Sequence, residues 1–150
     1  MENKNILSEI QTELKAPKGQ RNNFGNYNYR SAEDILEAVK PLLKKHDCAL
    51  VINDEIVGVE GRIYVKATAM LAHENSPFAS STAYAREAEV KKGMDEAQIT
   101  GSASSYARKY ALNGLLAIDD TRDADATNDH GKKSPVASKK EVATTNNDLI

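Results

Sequence analysis

Residues Gly93 to Asp125 have the sequence GMDEAQITGSASSYARKYALNGLLAIDDTRDAD, and this stretch decides how the fold is interpreted. It predicts a helix rich in Gly, Ser and Ala, whose small side chains let another backbone approach closely. Tyr106 and Tyr110 stand on either side of two adjacent cations, Arg108 and Lys109, and aspartates follow. No nucleophile has a base beside it. The pattern favours holding a ligand over catalysing a reaction.

The predicted helix runs from Asp95 to about Asn113, and its faces differ in character. At 100° per residue, one face carries Ile99, Ala103, Tyr106 and Tyr110. A helix this rich in small residues has low intrinsic stability, so close packing must offset the loss. Because Arg108 and Lys109 cannot both be buried, we expect at least one to contact a phosphate or a neighbouring subunit.

Upstream of this helix, apolar and polar residues alternate over three predicted strands. If the second hairpin centres on Asn75, Tyr64 faces Arg86 and Lys66 faces Tyr84. Rings and cations then alternate on an open sheet face, and such a face can bind single-stranded nucleic acid. An ordinary solvated sheet face is the alternative interpretation.

These elements predict an α+β fold, in which an antiparallel three-strand β-meander is covered by a long helix (a β-β-β-α core). The length suits one compact domain. We expect an N-terminal helix at residues 1–17, a second helix at 31–46, the sheet at 48–88 and the long helix at 95–113. Ser31 and Asp34 form a capping-box pattern, and Pro41 is expected to kink or split the second helix. Residues 1–125 form the predicted domain, and 126–150 a disordered C-terminal tail with no room for a second folded domain.

The polar segment from Lys18 to Arg30 is predicted to be a loop. It places Phe24, Tyr27, Tyr29 and Arg30 within seven residues. Such a loop is suited to wrapping a strand of nucleic acid. The alternative, which the sequence leaves open, is that its rings pack onto the core.

The net charge of −2 conceals an asymmetry along the chain. From Lys15 to Gly114, fourteen Lys and Arg face twelve Asp and Glu, whereas Asp119 to Asp129 holds five Asp and one Arg. The folded part is therefore mildly basic and is followed by an acidic segment. This distribution is compatible with a nucleic-acid partner.

Several classes of protein are not indicated. Cys48 is the only cysteine, so no internal disulfide or Cys-rich metal site is expected. We find no signal peptide and no apolar stretch of the roughly 20 residues that spans a bilayer. We therefore expect a cytoplasmic protein with no membrane partner and no cofactor.

Catalysis has one weak sequence argument. Glu89-Val90-Lys91 matches half of a metal-dependent nuclease site, and Asp54 could supply a second carboxylate. A DNA nuclease that uses Asp54, Glu89 and Lys91 is thus one alternative. A non-catalytic adaptor that binds a host replication protein through the tail is another. We expect no enzyme activity and no metal site.

The chain resembles the phage Erf (essential recombination function) family of single-strand annealing proteins. The resemblance is carried by the stretch from Gly93 to Asp125, by YNYRSAEDIL at Tyr27–Leu36 and by AYARE at Ala83–Glu87. It implies ATP-independent binding and annealing of single-stranded DNA in phage homologous recombination, by a homo-oligomer in the form of a ring or a filament. A host single-strand-binding protein and a phage exonuclease are candidate partners of a phage- or prophage-encoded protein.

The residues expected to contact DNA combine the cations and rings above with the positions that match the family motifs. They are Tyr27, Tyr29, Arg30, Tyr64, Lys66, Tyr84, Arg86, Lys91, Lys92, Ser105, Arg108 and Lys109. Gln98, Gly101, Tyr106 and Tyr110 also match the motif, with no role assigned.

Overall fold

A computed structural model describes residues 3–119 of the chain. In chain order the elements are α1 (Asn3–Glu13), β1 (Gln20–Asn22), β2 (Tyr27–Tyr29), α2 (Ala32–Lys45), β3 (Cys48–Val59), β4 (Arg62–His73), β5 (Ser76–Arg86) and α3 (Glu96–Leu116). The predicted α+β class, with its three-strand meander and long helix, is confirmed. The described residues form two compact units. The larger unit consists of residues 3–20 together with Arg30–Asp119, and the smaller unit is the hairpin Arg21–Tyr29. The predicted tail at 126–150 lies outside the described residues.

The sheet has the antiparallel order β3-β4-β5, and both of its connections are two-residue turns. The turn residues have positive φ angles, 50° at Glu60, 80° at Gly61, 52° at Glu74 and 65° at Asn75. Positive φ at both central residues is the geometry of type I′ turns, whose twist matches that of the strands. The strands therefore run up to each turn, which leaves only two residues between neighbouring strands.

The predicted register between β4 and β5 is confirmed. Tyr64 lies opposite Arg86, and Lys66 lies opposite Tyr84. The turn is centred between two residues and not on one, and a β-bulge beside Leu71 compensates for this difference. Without the bulge, every later side chain of β5 would face a different partner.

Alanines bring α3 close to β4 and β5. Ala107 and Ala111 on the helix are fully buried in one cluster with Ala67 and Ala69 of β4. Gly114 continues this close approach, because a Cβ atom at that position would lie 2.5 Å from Ser81 Oγ. Small residues thus determine how near the helix lies to the sheet.

The face of α3 on which the sequence places Ile99, Ala103, Tyr106 and Tyr110 is only partly buried. Ile99 and Ala103 are buried, whereas the side chains of Tyr106 and Tyr110 are 55% and 48% exposed. Ala107, one turn after Ala103, occupies the buried centre of the face. The tyrosines are therefore displaced to one flank of the helix.

Both ends of α3 have identifiable signals. Asp95 caps the N-terminus, and its carboxylate accepts a hydrogen bond from the backbone of Gln98 in a capping box. The helix continues past the predicted end at Asn113, because Leu115 and Leu116 are buried against the core. It ends at Ala117, which has a left-handed backbone.

In α2, the predicted capping box of Ser31 and Asp34 is confirmed. Pro41, expected to kink or split this helix, does not split it, since α2 is one helix from Ala32 to Lys45. Pro41 removes a hydrogen bond to the carbonyl of Glu37. Both residues are exposed, so water can satisfy that carbonyl.

Polar contacts join α1 to the end of α2. Glu13 accepts hydrogen bonds from Lys45 Nζ at 2.6 Å and from His46 Nε2 at 3.1 Å. These bonds lower the pKa of the Glu13 carboxyl. Because the carboxyl pKa is lower in the folded chain, the ionised Glu13 stabilises the fold at pH values above the pKa of the unfolded chain. This contribution is lost as the pH falls through the pKa of the folded chain.

No helix among residues 3–119 is long and apolar enough to cross a membrane.

Two glycines of α3 provide a test of the close approach. We predict that Gly101→Ala raises the free energy of unfolding by up to about 1 kcal/mol, because the site is open and Ala is the better helix former. Gly114→Ala should lower it, because overpacking costs about 1–3 kcal/mol. Adding Ser81→Ala to Gly114→Ala should recover the loss. Denaturant unfolding measures all three, and equal stabilisation by both alanines would contradict the packing.

Candidate nucleic-acid interface

The β5 edge of the sheet gathers rings and cations from two elements. β5 is an edge strand, and Tyr84 and Arg86 on its open side border the same groove as Tyr106 and Tyr110 on one flank of α3. These four residues and Lys91 line a groove of about 320 Å³. We call these five residues the tyrosine groove.

The tyrosine groove exposes its aromatic surfaces to solvent. The Tyr84 side chain is 55% exposed. The rings of Tyr106 and Tyr110 are stacked, with centroids 6.5 Å apart and planes inclined by 20°. Ring faces of this kind are platforms for nucleic-acid bases, and each stacked base contributes about 1–3 kcal/mol.

The cations that end and follow β5 have side chains without partners in the described chain. Within residues 3–119, the side chains of Arg86, Lys91 and Lys92 are exposed and have no hydrogen-bond or ion-pair partner. Lys66 differs, because its Nζ lies 3.7 Å from Glu55 Oε1 on the neighbouring strand. The open sheet face around Lys66 is therefore less cationic than predicted.

Arg108 lies on the opposite flank of α3. Its Nε donates to Asp54 Oδ1 at 3.1 Å, and Ser104 Oγ donates to Asp54 Oδ2. Asp54 belongs to β3, on the face that α3 covers. Arg108 thus connects α3 to β3 and does not line the tyrosine groove.

Two other predicted residues lie elsewhere on α3. Ser105 is exposed and lines a second groove of about 380 Å³ between α2 and α3, together with Arg108. Lys109 is half-buried. Tyr64, by contrast, is half-buried on the open sheet face, opposite Arg86.

The predicted polar loop is in fact a short hairpin, β1 and β2. Within it the rings of Tyr27 and Tyr29 lie 6.2 Å apart, and Asn22 Nδ2 donates to Tyr27 Oη at 3.0 Å. Arg30 belongs to the larger unit, where its Nε donates to the carbonyl oxygen of Ala16 at 2.7 Å. The two tyrosines and Arg30 therefore all have partners within their own units.

The twelve predicted contact residues are thus distributed over several surfaces, and only Tyr84, Arg86 and Lys91 enter the tyrosine groove. The prediction assigned no role to Tyr106 and Tyr110, although their spacing of four residues places both rings on one side of a helix. The list of predicted contact residues also omits Phe24, which the sequence placed in a loop and which the structure places in the turn of a hairpin.

The residues of the alternative nuclease site do not converge. Glu89 lies 3.7 Å from Arg62, which is paired with Val59 at the end of β3. Asp54 is five residues from Val59 along β3, and the rise per residue of a strand separates these two residues by roughly 17 Å. No group of three or more His, Cys, Asp or Glu in the described part of the chain could hold a metal ion.

Comparison with known proteins agrees with the motifs. A family model described as the ERF superfamily matches residues 4–149. The chain belongs to the ERF superfamily. It is also 57% identical over 140 residues to the "Essential recombination function protein" of Salmonella phage P22, over 93% of this chain. This ERF-superfamily chain spans 66% of the length of that relative. The family predicted from the sequence is confirmed.

The contact between Asp54 and Arg108 can be measured with a double-mutant cycle. Their side chains are 25% and 40% exposed, so solvent screens the pair. We predict a coupling free energy of about 0.2–1 kcal/mol from the unfolding of Asp54→Ala, Arg108→Ala and the double variant. The more exposed pair Glu37 and Lys40 within α2 is the control, with a coupling below about 0.5 kcal/mol. Additive effects at Asp54 and Arg108 would show that they do not interact.

Proposed function

We propose that this ERF-superfamily chain binds single-stranded DNA and pairs complementary strands without ATP, in the homologous recombination of a phage or prophage inside the bacterial cytoplasm. The observation that carries the proposal is the tyrosine groove. It combines exposed rings with unpaired cations, in a chain similar to a protein named for recombination. Both are parts of a single-strand binding surface.

The cations and the rings have different tasks in this proposal. Arg86, Lys91 and Lys92 contact phosphates, which carry no sequence information, so binding is independent of sequence. Tyr84, Tyr106 and Tyr110 supply stacking surfaces for some of the bases. Stacking covers the face of a base, so its pairing edge stays free for a complementary strand.

Several copies acting together would compensate for the weak binding of one. The cations Arg86, Lys91 and Lys92 of one copy can neutralise only a few phosphates. Linked sites add avidity without any new contact. Ile56 and Ile63 are exposed apolar residues on one face of the sheet near the turn between β3 and β4, and we propose them as a subunit contact in a ring or filament.

Other proteins would act on the same single strands. A phage exonuclease would generate single-stranded ends, and a host single-strand-binding protein would compete for them. The adaptor alternative depends on residues 126–150, which lie outside the described part of the chain. We therefore base the proposal on the tyrosine groove.

The cations provide the test. We predict that Arg86→Ala weakens the binding of an unstructured oligonucleotide roughly tenfold. It should also reduce the slope of log affinity against log salt by about 0.7, the value for one phosphate. Arg108→Ala should have a smaller effect, because Asp54 already neutralises that guanidinium. Fluorescence anisotropy at several salt concentrations gives both quantities.

Lys40→Ala is the control for net charge, since it removes one positive charge from the exposed face of α2, where Lys40 pairs with Glu37. Equal effects of Arg86→Ala and Lys40→Ala would show only the loss of net charge and would contradict a specific groove.

Two complementary oligonucleotides should anneal without ATP and keep their lengths during incubation with magnesium. Shortened strands would favour the nuclease alternative.

A further inference from the structure

Phe24 is the most exposed aromatic residue of the described chain. Its relative exposure is 102%, whereas the next aromatic side chains reach 55%. It lies at the turn of the hairpin Arg21–Tyr29, between β1 and β2. A large apolar ring that is fully in water has lost the stabilisation that burial would provide. The ring does not pack within its own hairpin, so the turn leaves it available for a contact outside the hairpin.

The hairpin holds this turn in one shape. Arg21 donates from Nη1 to Asn28 Oδ1 at 3.0 Å and from Nη2 to Asn26 Oδ1. Asn22 Oδ1 accepts from the backbone N–H of Gly25 at 2.9 Å. The ring of Tyr27 occupies the space that a Cβ atom on Gly25 would need. Phe24 therefore lies in a turn whose backbone is held by these hydrogen bonds.

The charge around the hairpin indicates what kind of partner Phe24 meets. From Lys15 to Ala32 the sequence contains four cations and no Asp or Glu. They are Lys15, Lys18, Arg21 and Arg30. An apolar ring in a segment with only positive charge suits a polyanion that has aromatic groups. Single-stranded DNA has both properties.

We propose that Phe24 stacks on a base of the bound single strand and separates that base from its neighbour. The proposal rests on the proposed function and adds a second contact to it. Side chains inserted between bases must overcome base stacking, and this cost is lowest in a strand that is already unpaired. Phe24 would thus favour single strands over duplex and would leave the adjacent base open to pairing.

The chain contains no tryptophan, so one substitution makes Phe24 directly observable. Phe24→Trp introduces a single indole at the turn. Stacking on a base should quench its fluorescence when an oligonucleotide is added, with affinity close to that of the natural chain. Lys40→Trp, on the exposed face of α2, should show no such quenching. An unquenched indole at position 24 under saturating DNA would overturn the proposal.

Binding measurements separate stacking from a contact with another protein. Phe24→Ala and Phe24→Leu should each weaken single-strand affinity by roughly 5- to 150-fold, because both remove the ring face. Thermal unfolding should not change, since Phe24 is fully exposed. If Phe24→Leu keeps the natural affinity while Phe24→Ala loses assembly, the ring is an apolar contact with a second copy, and the proposal is wrong.

Failure of the two proposals can be distinguished. A natural chain that does not bind single strands at low salt contradicts the proposed function, and the role of Phe24 is refuted with it. A natural chain that binds, together with a Phe24→Ala variant that binds equally well, overturns only the role of Phe24.

Discussion

The close contact between α3 and the sheet is the constraint on which the rest of the structure depends. Alanines of α3 and β4 form the buried seam, and Gly114 lies against Ser81 of β5. Larger side chains at this seam would force the helix away from the strands. Because small residues occupy the side of α3 that faces the sheet, the large polar residues of this helix lie on its two flanks.

The two flanks have different chemistry. Toward β5 lie Tyr106 and Tyr110, beside a sheet edge whose cations have no partners among the described residues. Toward β3 lies Arg108, which Asp54 holds in an ion pair. A paired guanidinium stabilises the position of the helix, whereas unpaired cations beside exposed rings suit a polyanion. The same helix thus anchors the fold on one side and contributes to the candidate binding surface on the other.

Alternation along β4 and β5 was sufficient to predict the sheet, because inward and outward residues have a strict period of two. The pairing of Tyr64 with Arg86 needed a second assumption, a hairpin centred on Asn75, and it holds because the β-bulge beside Leu71 shifts the register by one residue. The contact of Asp54 with Arg108 was not predictable, since it joins residues 54 positions apart. The flank taken by Tyr106 was missed because helical spacing alone did not show that Ala107 would occupy the buried centre. The hairpin around Phe24 depends on hydrogen bonds that asparagine side chains make with Arg21, Tyr27 and the backbone of Gly25, for which the alternation of apolar residues gives no signal.

Photocrosslinking with oligonucleotides that carry 4-thiothymidine tests the central claim most directly. Mass spectrometry of the crosslinked peptides identifies the side chains that meet the bases. The account predicts crosslinks at Tyr84, Tyr106 and Tyr110. Crosslinks confined to β3 and α2, around Asp54 and Lys40, would place the DNA on the opposite flank of α3 and would contradict the account.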